Sequence, residues 1–167
     1  MIIELIVVVC VVLVIGFIAN TIMDIKNRNK CEKMSFRESL DLAELPIITF
    51  RNNNIKLNFL LDTGATLSII DSNLLESNKD IKFIERDVKG TIYGMEGNTQ
   101  EVGYVNMGIS YKNNTYNEDF QTLDMSEPFN KLKEETGVTV VGILSSSFFA
   151  KYKYVLDYNE MVAYSKR

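Results

Sequence analysis

The run Leu60-Leu61-Asp62-Thr63-Gly64-Ala65-Thr66-Leu67-Ser68-Ile69-Ile70 holds the residues of this chain best suited to chemistry. An ionisable carboxyl, Asp62, ends an apolar stretch, and a hydroxyl residue and a glycine follow at once. Apolar flanks raise the cost of a bare charge unless something compensates for it. Gly64 permits a backbone geometry or a close approach that a Cβ forbids. Thr63 offers a hydroxyl that can donate or accept a hydrogen bond and so lock the loop. Asp-Thr-Gly alone is also an ordinary turn tripeptide. Aliphatic residues on both sides, the small Ala65 and the hydroxyl of Thr66 make the longer string far more restrictive.

Composition removes the main competing chemistries. The chain of 167 residues has no histidine. Ser-His-Asp and Cys-His nucleophiles are excluded with it, as are His-ligated metals. Acid–base work near neutral pH falls to carboxylates, Lys, Tyr or Cys. The two cysteines, Cys10 and Cys31, lie in and just after an apolar N-terminal run. They give neither a disulfide framework nor zinc spacing. No metal and no other cofactor is expected. The run Ser145-Ser146-Ser147 has no histidine and no lysine in a recognisable pairing motif to activate it, and is read as a helix start. The net charge is -4 with no basic stripe, so nucleic acid is not an expected partner.

Three segments must position Asp62. Residues 1–23 read as a transmembrane anchor: Leu5 to Ala19 carry no charge, and about 20 apolar residues cross a hydrocarbon core. Glu4 near the start and the poor cleavage site at Phe17-Ile18-Ala19-Asn20 argue against a removed signal peptide. Lys26, Arg28, Lys30 and Lys33 follow the segment and none precedes it, which predicts a single-pass protein with its C-terminal domain in the cytoplasm. Residues 24–45 are expected to be a juxtamembrane linker with a short helix, Ser35 and Glu38 having capping-box spacing. From residue 46 to 167 short strands dominate. They are expected at Ile47–Arg51, Ile55–Leu61, Ser68–Asp71, Ile81–Phe83, Asp87–Tyr93, Thr99–Met107, Gly108–Tyr111, Val138–Val141, Tyr154–Asp157 and Met161–Ser165. Helical turns are expected at Ser72–Glu76, 126–136 (capped by Ser126 and ended by Gly137) and Ser145–Tyr152. Many short strands with few helices predict a mostly-β barrel or sandwich.

The string Asp62-Thr63-Gly64-Ala65-Thr66 resembles the active-site loop of retropepsin-like aspartic proteases, a family of retroviral proteases and bacterial single-domain relatives. The resemblance covers about residues 47–165. Thr91-Ile92-Tyr93-Gly94-Met95-Glu96-Gly97 lies where the family has a flap hairpin, with Tyr93, Gly94, Met95 and Gly97 as the flap residues. Val140-Val141-Gly142-Ile143-Leu144 looks like the family's hydrophobic-glycine strand, with Val141, Gly142 and Ile143 supporting the site. Tyr154-Val155-Leu156-Asp157-Tyr158-Asn159 resembles the final strand pair of the bacterial relatives. Two departures stand out. Ser145-Ser146-Ser147 occupies positions where the family often has a further glycine, and the segment 112–137 is longer than in a minimal member. That segment is expected to cover one end of the barrel or to meet a partner.

The resemblance implies a closed β-barrel with one lobe per chain, and a reaction that needs two carboxylates sharing one proton. The ionised member takes a proton from water while the protonated one polarises the scissile carbonyl. Only Asp62 has the required loop; Asp71, Asp124 and Asp157 lack the following glycine. The second carboxylate is therefore expected from another copy across a two-fold axis, with the shared membrane raising the local concentration of partners. Catalytic Asp62, a homodimer and a peptide or protein substrate follow from this reading. The alternative is a non-catalytic retropepsin-like module for peptide binding or dimerisation at the membrane. A third is an unrelated β-barrel interaction domain carrying the motif by chance.

Overall fold

The computed structural model describes residues 13–21, 32–93 and 99–166. The chain divides into two units, residues 1–32 with Arg167, and Lys33–Lys166. In the first unit, residues 13–21 form a helix (α1) on which Leu13, Val14, Ile15, Phe17 and Ile18 are exposed. No described helix is long and apolar enough to cross a membrane. Most of the segment 1–23 lies outside the described residues.

The second unit runs β1 (Met34–Ser35), α2 (Arg37–Ala43), β2 (Ile47–Asn52), β3 (Ile55–Leu61), β4 (Ile69–Asp71), α3 (Ser72–Ser77), β5 (Ile84–Tyr93), β6 (Thr99–Tyr111), β7 (Asn114–Leu123), α4 (Ser126–Thr136), β8 (Gly142–Leu144), α5 (Ser146–Tyr152), β9 (Tyr154–Asp157) and β10 (Val162–Ser165). It is mostly β with short helices. Seven strands order as β2-β3-β8-β4-β7-β6-β5, and β2 pairs again with β6 at Arg51 and Ser110. That last pairing closes six of them into a barrel and leaves β5 as an outer arm on β6.

Side-chain alternation builds this barrel. Ile48 and Phe50 on β2 and Leu57, Phe59 and Leu61 on β3 point inward, with polar or half-exposed neighbours between them. The turn between them is Asn53-Asn54, and Asn53 takes the left-handed conformation (φ 53°) that asparagine tolerates. Aromatic rings fill the interior: Phe59 stacks on Phe120 at 5.5 Å, and Phe50 meets Tyr116 and Phe148 edge-on. A separate three-stranded sheet, β1-β10-β9, ties the start of the unit to its end.

The compact unit runs from Lys33 to Lys166, with Met34 and Phe36 buried in its core. Several expectations are corrected. The segment 112–137 is no simple cover: β7 is a central barrel strand between β4 and β6. The expected strand Val138–Val141 does not form; the strand begins four residues later, at Gly142–Leu144. Ile81–Phe83 is not a strand; Ile81 is buried from a loop. Residues 99–111 form one strand, since Gly108 keeps its pairing with Asn117. Helix α4 ends at Gly137 (φ 75°) as expected. Its N-terminus is served by Asp124, whose Oδ1 accepts the Ser126 N–H at 3.0 Å, and not by Ser126.

Candidate active site

Asp62 is the first residue after β3 and is half-buried. The register explains its placement. β3 runs parallel to β8, with Phe59, Leu60 and Leu61 beside Gly142, Ile143 and Leu144. The ladder carries one step past β3, where the Asp62 N–H donates to the Leu144 carbonyl at 3.0 Å. Beyond it the chain turns, and the Gly64 N–H donates to Asp62 Oδ1 at 2.7 Å. A charge-assisted bond of this kind fixes the carboxylate rotamer. A Cβ on Gly64 would sit 3.2 Å from that same oxygen, so a side chain there would press on the carboxylate and shift it by a few tenths of an ångström.

The far side of the loop is clamped by α5. The Ala65 carbonyl accepts both the Ser146 N–H at 2.9 Å and the Ser146 hydroxyl at 2.7 Å. The serine run is thus part of the site's frame: Ser146 holds the loop and Ser145 is buried behind it. Thr63, Gly64, Thr66 and Leu67 are exposed, while Ala65 is half-buried. Among the described residues the Thr63 hydroxyl makes no hydrogen bond, so within one chain it does not lock the loop.

Gly142 earns its place by crowding. A Cβ there would lie 2.5 Å from the Ile69 carbonyl oxygen and 2.8 Å from the Phe59 ring. The strand is squeezed between β3 and β4, and only glycine lets both approach. Val141 donates its N–H to the Asn58 carbonyl, and its own carbonyl accepts the Asp71 N–H. Ile143 pairs with Leu60 on one side and Ile69 on the other. The three support residues therefore brace the strands that enter and leave the Asp62 loop.

Tyr93 ends β5 opposite Thr99 on β6, so two long strands lead toward the expected flap tip. Gly94, Met95 and Gly97 lie outside the described residues.

The three aspartates set against Asp62 above, Asp71, Asp124 and Asp157, have structural tasks. Asp71 Oδ1 accepts the Met125 N–H, Asp124 serves α4 and accepts the Asn73 side-chain amide, and Asp157 Oδ1 closes the turn at Asn159 and Glu160.

One cluster behind the loop was not singled out from the sequence. Glu118 on β7 is 4 % exposed. The Ser68 hydroxyl donates to its Oε1 at 3.0 Å, and Lys151 Nζ on α5 pairs with its Oε2 at 3.1 Å. Ser68 Oγ lies 3.2 Å from Ser145 Oγ and accepts the Ser145 N–H at 3.3 Å. Burial pulls the Lys151 ammonium pKa down, but its bonds to Glu118 and Tyr152 outweigh this and hold it above the ordinary lysine value.

No family model matches the chain, and no curated protein matches it. Among solved structures it is similar to the EIAV protease complexed with the inhibitor HBY-793, with a TM-score of 0.46 and 22% sequence identity over 66% of this chain and 90% of that one.

Proposed function

We propose that this chain is one half of a retropepsin-like aspartic endopeptidase that hydrolyses peptide bonds as a homodimer. The observation that carries this is the Asp62 loop. A half-buried carboxylate stands at a strand end, with one oxygen held by the Gly64 N–H at 2.7 Å and the loop clamped by Leu144 and Ser146. Such anchoring fixes where the second oxygen points without consuming it. Each chain has one such loop, and its Thr63-Gly64 crest is exposed. Apposing two copies about a two-fold axis brings two Asp62 carboxyls together.

The chemistry then follows from like charges in contact. The pair holds one proton, and its titration belongs to the pair and not to either residue. The ionised carboxylate takes a proton from a water lying between the two. The hydroxide equivalent attacks the scissile carbonyl, whose oxygen is polarised by the protonated partner. The proton then passes to the leaving amine as the C–N bond breaks, which restores the shared state. The paired arms β5 and β6 would close over an extended peptide.

The apolar N-terminus is proposed to keep the domain on a membrane as a single-pass anchor, with the catalytic unit on the cytoplasmic side. The uncharged run Leu5–Ala19 and the trailing cations support this. The exposed apolar residues of α1 agree with it.

The deciding experiment is peptide-library cleavage by the full chain in detergent or vesicles, wild type beside Asp62→Asn, across protein concentrations. The proposal expects cleavage by the wild type alone, rising more steeply than linearly with concentration. Equal activity in the Asn variant would end it. An inactive wild type whose dimer still binds peptide would favour the non-catalytic module.

A further inference from the structure

The cleavage chemistry proposed above leaves one buried charge without a task. Tyr116, Glu118 and Phe120 share the inward face of β7, so the pattern calls for an apolar residue at 118. A carboxylate in that place needs bonds to be tolerated at all, and the bonds it makes are informative. Through Ser68 it holds the downstream end of the loop that Asp62 opens. Through Ser68 it also reaches Ser145, which sits between Leu144 and Ser146. Those two residues grip Asp62 and Ala65 by their backbone groups. The Ser68 carbonyl accepts the Gln121 N–H at 2.9 Å, which ties the same point back to β7. Ser68, and through it the Ser145 flanked by the two gripping residues, is thus tied to Glu118, and Lys151 supplies the countercharge.

Stability alone does not account for this arrangement. Only the Glu118 end of the pair is buried while Lys151 reaches solvent, and a buried carboxylate is a poor stabiliser that apolar residues of similar volume often replace without loss. What the pair supplies is a fixed position. We propose that Glu118, paired with Lys151, is a positioning residue: it fixes Ser68 and Ser145 and thereby sets where the Asp62 carboxylate stands. Its purpose rests on the aspartic-protease reading, because two carboxyls sharing a proton must meet within hydrogen-bond distance. The loop-holding itself is a property of the single chain and is measurable without substrate.

The test is residue-resolved amide hydrogen exchange on the full chain in micelles, followed by cleavage kinetics. The variants are Glu118→Met with Lys151→Met, Ser68→Ala, and Glu118→Gln. Removing the pair is expected to speed exchange at the Asp62, Gly64 and Ser146 amides by roughly tenfold, while the β6–β7 ladder stays within about twofold. Glu118→Gln keeps an acceptor for Ser68 and should retain most of the protection. With substrate, Ser68→Ala should lower kcat by about tenfold with KM within about twofold, since misplacement penalises the reacting geometry and not peptide binding. Unchanged loop exchange overturns the proposal. So does a uniform rise across the barrel, which would make the pair a structural one only. Should the double Met variant fail to fold, Ser68→Ala decides by the same exchange pattern. A chain that cleaves nothing in any form refutes the protease reading, while the exchange result still settles the positioning.

Discussion

Replacing Gly142 by alanine places a methyl group where β3, β8 and β4 leave no room. The added carbon would lie 2.5 Å from the Ile69 carbonyl oxygen and 2.8 and 3.0 Å from two Phe59 ring atoms. Neither neighbour yields cheaply. The carbonyl belongs to the backbone of β4, which is paired on both sides. Phe59 is fully buried and stacked on Phe120. Overpacking a closed core costs about 1–3 kcal/mol, and with both neighbours rigid the upper end applies. A stiffer unfolded chain returns about 0.5 kcal/mol. The net loss is about 2.5 kcal/mol, which lowers Tm by about 10 °C in a domain of this size. Far-UV circular dichroism of thermal unfolding reads this directly. Gly137→Ala is the control: its φ of 75° strains any side chain, but nothing lies within 4 Å. It should cost only about 1 kcal/mol. A Gly142→Ala variant that melts within about 2 °C of wild type would refute the crowding argument.

Three further outcomes are expected. The Tyr154 hydroxyl is buried with no hydrogen-bond partner among the described residues, and burial pushes its pKa far up, so Tyr154→Phe should leave Tm unchanged or raise it by a few degrees; a clear drop in the melting curve would show that the hydroxyl has a partner. Asn52 is buried and bonds the Lys82 N–H and the Lys82 and Gly108 carbonyls at 2.7, 2.8 and 2.9 Å. Asn52→Ala should cost roughly 2–3 kcal/mol by urea unfolding, because it strands these groups together, and a loss under about 0.5 kcal/mol would show that water replaces the side chain. The side-chain amide of Asn106, with help from Arg86, holds the Asp119 carboxyl below the usual range. A depressed folded pKa gives stability that is present above the ordinary Asp value and fades as pH falls through the folded one. Wild-type Tm should therefore fall more steeply than that of Asn106→Ala from roughly pH 4 to pH 2; parallel curves would remove Asn106 from that role.

The parts of the fold written in local pattern were legible. The hairpin β2–β3, with its alternating Ile48, Phe50, Leu57 and Phe59 and its Asn53-Asn54 turn, reads straight from the residues. So does the end of α4 at Gly137. β7 was hidden because its inward face carries Glu118, whose charge breaks the apolar alternation of Tyr116 and Phe120. That same break was the signal for the buried cluster: a carboxylate on the wrong side of a strand needs a partner elsewhere. The partners are remote in sequence, with Ser68 before β4 and Lys151 on α5, and no local period joins them. β1 was overlooked because a two-residue strand has no pattern of its own; it exists only through β10. The frame of Asp62 was legible in type but not in detail. Gly64 and Gly142 stand out in the sequence, the first by the freedom it gives the loop and the second through the family resemblance, whereas the grip of Ser146 on Ala65 depends on how α5 packs.

The pairing of β1 with β10 sets the two ends of the unit side by side, Met34 beside Ala163 and Ser35 beside Val162. A unit whose entrance and exit adjoin can be repeated along a chain with little connecting sequence. Tandem duplication is thus an accessible route from this gene to a single polypeptide with two lobes. Once joined, the two copies would no longer have to be identical, and each could diverge in sequence.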